Sequence, residues 1–455
     1  MTAPSRAALL LLLSACKGDP GKGRGGEGEG EGEGEGEGEA PAGQDLVHAH
    51  LALDLEGLTG TTTIAARPDA ATGSLRLDVA GLEVSRVTVD GGEVETRLEG
   101  GQLVVPATGE AVEVAVDYAF SARSPATFDG WMPALNVSFV WPYYCSNLFP
   151  CDPSLSDGIA YSMEVSGYDA SLTAVFPTET WTDGPAYMAG LTVGDYVELN
   201  LGETAAGTAI KAWYFDGPKG DEAARKGTEH LVAAFDYFER VYGPYAFGPE
   251  YGSVEVDWGA DSWGGMEHHP YSHIGTFDMN DEEAHVHEAG HGWFGDGVRI
   301  ACWEDFVLSE GTNSYITARA LEQAGGPSQW AYYVDGFLTP ACRGMDVNTV
   351  VLPSTCGEID FVNDNLWSLV TYMKGACFYE DVADLIGADL LDEIIGDFYK
   401  ENVNQARRMN DMLDAIRART DAADQAELET LITEWLLTKE CPEDYAARCK
   451  EHVPR

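Results

Sequence analysis

The stretch HVHEAGHGWFGDGVRIACWEDFVLSEG, residues 285–311, holds two histidines four apart with a glutamate beside the first of them. On a helix turning about 100° per residue, His287 and His291 lie one turn apart on the same face, so two imidazoles can converge on one cation. Glu288 projects beside them, where a carboxylate can take a proton from a water held at that cation. His285 is rotated about 200° from His287 and faces elsewhere, so it is not counted as a ligand. A catalytic zinc site wants three protein ligands and a water. Glu310 is the candidate third ligand, on the next predicted helix beyond the Gly295-Asp296-Gly297 break. The competing reading is a structural helix that matches H-E-x-x-H by accident.

The elements that would position these residues follow from hydrophobic period. DMNDEE, residues 278–283, supplies N-cap candidates and acidic first-turn residues for the helix through His287. Further helices are expected through Glu310, through Tyr372 and on to the C-terminus. DEAARKGTEHLVAAFDYFERVYG is amphipathic through Leu231, Ala234, Phe235 and Phe238. Earlier in the chain the period is two. Val47, Ala49, Leu51, Leu53 and Leu55 share one face, as do Val112, Val114, Val116, Tyr118 and Phe120. Turn punctuation at Asp90-Gly91-Gly92 and Gly100-Gly101 separates such runs. These patterns predict a multi-domain α and β protein. An antiparallel β-sandwich or saddle domain over 45–205 precedes a mainly helical α+β domain over 206–455.

The first 44 residues belong to neither domain. Arg6, the apolar run AALLLLL and then LSAC, ending at Cys16, resemble a bacterial lipoprotein signal peptide, residues 1–16, with Cys16 as the lipid-bearing residue. An ordinary secretory signal without lipid is the alternative. Residues 17–44 alternate Gly and Glu, cannot bury anything and repel themselves, so they read as a flexible tether with a reach of roughly 25–30 Å. The expected product is an exported lipoprotein, periplasmic or on the outer membrane or cell surface.

The formal net charge is −49, and the seven Glu of the tether leave most of the 76 carboxylates elsewhere. An acidic body excludes nucleic acid as a partner and reads as a solvated acidic surface. With Cys16 set apart, eight cysteines remain, an even number in an exported chain. Proximity in sequence suggests the local pairs Cys145/Cys151, Cys342/Cys356 and Cys441/Cys449, while Cys377 reads equally well as a buried thiol.

HEAGHGWFGDGVRIACWEDFVLSEGTNSY resembles the core of the aminopeptidase N family of zinc metallopeptidases, which includes leukotriene hydrolase. That family has H-E-x-x-H, eighteen residues, then E, and eighteen residues separate His291 from Glu310. GGMEH, residues 264–268, resembles its G-x-M-E-N, and YMKGA, residues 372–376, its Y-x-K-G-A. The resemblance implies a β-rich N-domain on a thermolysin-like catalytic domain, one Zn²⁺ held by His287, His291 and Glu310, and peptide substrates. It implies Glu288 as general base, Tyr372 as oxyanion donor, and Glu267 as anchor for a free α-amino group. Gly264, Gly265 and Met266 would lie along the peptide.

Two positions depart from the family. His268 stands where the family has Asn. Trp141, in WPYYCSNLFPC, stands where a second amine-binding Gln or Glu is usual. A zinc endopeptidase or other amide hydrolase is therefore the second reading. A non-catalytic surface-binding lipoprotein is the third, disfavoured because Glu288 and Tyr372 serve turnover and not folding.

Overall fold

The computed structural model describes residues 43–450, apart from 260, 261, 263, 345–349, 358 and 360–367. The signal-like segment with Cys16, and the tether up to residue 42, lie outside the described residues.

The N-terminal domain is built on a six-stranded sheet. Its strands run in the order Ala160–Ser166, Asp45–Asp54, Thr59–Arg67, Val112–Phe120, Leu82–Val89 and Gly92–Glu93. All neighbouring pairs are antiparallel except the first, in which Ala160–Ser166 runs parallel to Asp45–Asp54. The alternation in Val112–Phe120 holds throughout: Val112, Val114, Val116, Tyr118 and Phe120 are all buried. In the first strand it fails at one place. A bulge between Leu46 and His48 shifts the register, so Leu46 points inward and Val47 is exposed. From Ala49 onward the predicted face is the buried one.

The second domain opens with a five-stranded sheet in the order Tyr196–Glu203, Ala209–Phe215, Glu250–Val256, Tyr271–Gly275, Gly265–Met266. Among the described residues its last strand pairs on one side only, through Gly265 opposite Ile274 and Met266 opposite His273. Helices α1 (Pro218–Gly227), α2 (Leu231–Val241), α3 (Glu282–Gly290) and α4 (Thr312–Ala324) follow, and the long helix Leu369–Ile386 packs on α4 and on the turn Val307–Gly311 before it. The chain is thus a β-rich domain followed by a largely helical α+β domain. Among the described residues, no helix is long and apolar enough to cross a membrane.

Four disulfides are present. Cys145–Cys151 pairs as expected, but the other two local pairs do not form. Instead Cys302 bonds Cys356, Cys342 bonds Cys441 and Cys377 bonds Cys449. Tertiary packing outweighs sequence proximity here. Cys377 faces the core from the helix Leu369–Ile386, and the terminal helix Tyr445–Lys450 packs on that helix and brings Cys449 to it.

Candidate active site

Helix α3 carries the H-E-x-x-H segment. Asp281 caps it by accepting a hydrogen bond from the Glu283 backbone N–H, and Glu282 and Glu283 place negative charge in the first turn. Every residue from Ala284 to Gly290 is buried, so both histidines sit inside protein rather than on its surface. Two side chains cap the last-turn carbonyls, which a short helix leaves unpaired. Asn313 Nδ2 donates to the His287 carbonyl at 2.8 Å, and His269 Nε2 donates to that of Glu288 at 3.1 Å. The Tyr245 hydroxyl donates to His269 Nδ1 at 2.8 Å, which fixes this tautomer. Burial pushes the His269 pKa down to about 3, so the ring stays neutral.

The ring of His285 turns away, its Nε2 donating to the Met279 carbonyl at 3.0 Å. His287, His291 and Glu310 meet. His287 Nε2 lies 3.0 Å from Glu310 Oε2 and 3.2 Å from His291 Nε2, and His291 Nε2 lies 3.3 Å from the same carboxylate oxygen. Bonds of about 2.0–2.2 Å to a tetrahedral zinc put neighbouring ligand atoms roughly 3.3 Å apart, so this donor set fits Zn²⁺. His291 Nδ1 donates to the Phe294 carbonyl at 2.9 Å, leaving Nε2 as the free ligand atom. Behind His287, Glu283 Oε1 is 3.9 Å from Nδ1.

Glu310 lies on a π-helical turn, Val307–Gly311, that leads into α4, and not on a regular α-helix. The wider turn sets its carboxylate back toward α3. Tyr372, on the helix Leu369–Ile386, reaches the same place, because two glycines let the backbones touch. A Cβ on Gly311 would come 2.8 Å from Gly375 Cα, and one on Gly375 would come 2.5 Å from Gly311 Cα. With that crossing, the Tyr372 ring stacks on His287 at 6.0 Å and 22°, and burial first and the Glu310 carboxylate second push its phenol pKa well up. Lys374 is fully buried and points the other way, donating to the carbonyls of Thr438 and Glu440 at 2.7 and 3.0 Å.

Glu267 follows the edge strand Gly265–Met266 and is buried. Oxygens of Glu267 and Glu288 and a ring nitrogen of His291 all lie within 4.8 Å of one another. Burial pushes the Glu288 carboxyl well above the ordinary carboxylate range; His291 opposes that rise, and Glu267 and Glu310 reinforce it. A Cβ on Gly265 would meet Glu288 Cγ at 2.4 Å, so only glycine lets this strand lie against the acid. Gly264 has φ +75° and donates its N–H to Asp278 at 2.5 Å. Met266 packs with Trp258, Val256 and Phe128 beside the site.

The two departures have physical counterparts. The ring of His268 lies 3.1 Å from His273 Nδ1 and fills space that Gly190 leaves open. Trp141 packs edge-on against Trp303 at 6.1 Å and Phe139 at 6.4 Å. Four residues near the site were given no role in the site by the sequence reading: His269, Asn313, Asp296 and Tyr187. The first three lie within or beside the recognised motifs, and a question about what satisfies the ends of α3 would have found His269 and Asn313. Tyr187 comes from the other domain.

Fold and site together combine a β-rich domain and a largely helical α+β domain with an H-E-x-x-H…E donor set. Residues 277–435 match the family model described as the peptidase family M1 domain. The chain is similar to leucine aminopeptidase 2 of Sclerotinia sclerotiorum, 24% identical over 404 residues, 78% of this chain and 63% of that relative. It thus spans less than two thirds of that relative's length. Among solved structures it resembles a variant of an M1 zinc metallopeptidase from Deinococcus radiodurans bound to a Tyr-Ser-Ala substrate. That likeness has a TM-score of 0.72 and 19% identity, covering 90% of this chain and 97% of the other. Leukotriene A4 hydrolase from Saccharomyces cerevisiae is similar with a TM-score of 0.71 and 19% identity, over 88% and 69%.

Proposed function

We propose that this protein is a zinc aminopeptidase, with one Zn²⁺ held by His287, His291 and Glu310. Bound there, zinc would polarise a carbonyl and acidify a water. Glu288 takes the proton of the attacking water and delivers it to the leaving amine, a role suited to a buried carboxyl with a raised pKa. The Tyr372 hydroxyl, beside the metal ligands, donates to the oxygen on which negative charge develops. Glu267 holds the α-ammonium group of the substrate, and the free edge of Gly265–Met266 offers its backbone to the peptide.

The observation that carries this reading is the short span between Glu267 and Glu288, whose oxygens lie within 4.8 Å. An ammonium at Glu267 leaves room for a single residue before the bond that Glu288 attends. Such a span selects the first peptide bond and disfavours an endopeptidase. The curated relatives named as aminopeptidases and the tripeptide seen in the Deinococcus protein agree with this.

The test is metal analysis of the purified body combined with fluorogenic amino-acid amides, free and N-acetylated. The expected result is one zinc per chain, turnover abolished by chelator and restored by zinc, and N-acetylated substrate cleaved at least ~100-fold more slowly. Equal turnover of both substrates would assign the site to an endopeptidase or general amide hydrolase. For location, we infer from LSAC and the Gly/Glu run that Cys16 is lipidated and that the tether holds the enzyme off a membrane surface. Mass analysis of the mature N-terminus tests this: an N-terminal Cys16 carrying no lipid would refute it.

A further inference from the structure

We propose that His269 is a positioning residue that fixes the spacing between Glu267 and Glu288, and with it the preference for the first peptide bond. The proposal rests on the aminopeptidase reading above and deepens it.

Glu267 and Glu288 belong to different elements. Glu267 follows the edge strand Gly265–Met266, and Glu288 lies on α3. The two elements touch where Gly265 meets the Glu288 side chain. That contact limits how closely they approach, but a steric stop does not resist sliding or parting. A directional bond does. His269, two residues after Glu267, supplies one: its ring Nε2 donates to the backbone carbonyl of Glu288 itself at 3.1 Å. The tie thus joins the two residues whose separation matters.

The ring is held in the state this bond needs. The Tyr245 hydroxyl donates to Nδ1 at 2.8 Å, which leaves the ring proton on Nε2. Phe247, Tyr251 and Tyr245 pack around the imidazole, with ring centroids at 5.1, 5.6 and 5.7 Å. A Cβ on Gly292, next after His291, would come 3.1 Å from His269 Cε1, so the turn after α3 also lies against the ring. Asp296 Oδ2, at 3.9 Å from Nε2, is too distant to compete with the Glu288 carbonyl for the proton. A buried ring with one orientation and one tautomer acts as a rigid strut.

A free-amine substrate must meet both carboxylates at once, its ammonium at Glu267 and the attacking water at Glu288. An N-acetylated substrate has no ammonium and needs only Glu288. Loosening the strut therefore harms the free-amine substrate more than the acetylated one. A helix end that merely frayed would misalign Glu288 for both alike. Misplacement by about 1 Å can cost ~10²-fold in rate, so a small shift of the strand is measurable.

The test uses the full zinc-loaded chain as wild type, His269→Phe and His269→Gln, with a fluorogenic leucine amide and its N-acetyl form. Phenylalanine keeps an aromatic ring and removes both hydrogen bonds, whereas glutamine returns an amide N–H near the Nε2 position. The quantity read is the ratio of kcat/KM for the free-amine substrate to that for the acetylated one. His269→Phe should lower this ratio at least about fivefold, and His269→Gln should hold it within about twofold of wild type. The proposal is overturned if His269→Phe slows both substrates alike and leaves the ratio unchanged, which would make His269 a helix cap only. It is equally overturned if His269→Gln loses the ratio as fully as His269→Phe. If the wild type itself cleaves both substrates equally, the aminopeptidase reading fails and the proposal fails with it. Zinc content and Tm monitor folding. Should His269→Phe unfold the chain, Tyr245→Phe takes its place and removes only the hydroxyl that fixes the tautomer. A fall in the ratio of at least about twofold is then expected, and an unchanged ratio overturns the proposal.

Discussion

At the scale of single residues, Glu288 and Tyr372 can be separated from the metal ligands. Glu288 lies beside the donor triad but outside it, so Glu288→Gln should retain zinc while kcat falls by roughly 10³-fold. Zinc content measured alongside steady-state kinetics checks this, and loss of metal with the activity would contradict the assigned role. Tyr372→Phe keeps the ring that stacks on His287 and removes only the hydroxyl. It should lower kcat by about 10²–10³-fold with little change in KM, the signature of an interaction made in the transition state. A comparable rise in KM would indicate that the phenol binds the ground state instead.

At the scale of elements, the site depends on how α3, the π-helical turn of Glu310 and the helix of Tyr372 cross. The touching backbones of Gly311 and Gly375 make that crossing possible, which gives a test without touching a catalytic group. In an ordinary helix Gly→Ala stabilises by about 1 kcal/mol. In Gly375→Ala the new methyl meets backbone that cannot yield, and overpacking costs about 1–3 kcal/mol, so the clash should win. The expected outcome is a lower Tm and at least a ~10-fold loss of kcat with zinc retained, read by calorimetry and kinetics. Much of this arrangement was legible in the sequence. The period of 3.6 put His287 and His291 on one face and sent His285 away, and the period of two identified the buried face of Val112–Phe120. The bulge at Leu46–His48 was not legible, because one unpaired residue leaves the composition of a strand unchanged while reversing its faces. The pairings of Cys302, Cys342 and Cys377 escaped for a different reason. They depend on which helices pack together, and nothing local encodes that. The same holds for Tyr187, whose ring meets Trp303 of the second domain.

At the scale of the whole molecule, the docking of the two domains is a problem of buried charge in an acidic chain. Arg299, on the strand Val298–Ile300, is buried and reaches into the N-terminal domain. There it donates to the carbonyls of Asp183 and Ser156 at 3.4 and 3.5 Å. A Cβ on Gly158 would collide with its guanidinium, so the loop is shaped around this one cation. Asp157, next in sequence to that glycine, accepts a hydrogen bond from the Leu46 N–H at 3.3 Å. Burial first and the neighbouring Asp152 second push the Asp157 pKa from 3.8 up to about 7, against the pull of Arg299. Because the folded value is the higher one, the native chain holds more protons than the unfolded chain between these limits. The stability that protonated Asp157 contributes is complete below about pH 4 and is lost as pH rises through about 7. Asp157→Asn cannot ionise and keeps an oxygen to accept from Leu46. The Tm of this variant relative to wild type should therefore climb between about pH 4 and pH 7 and level off above. Differential scanning calorimetry across that range decides the matter. A constant offset would mean that Asp157 ionises normally in the folded protein and that the domain junction tolerates a second charge beside Arg299.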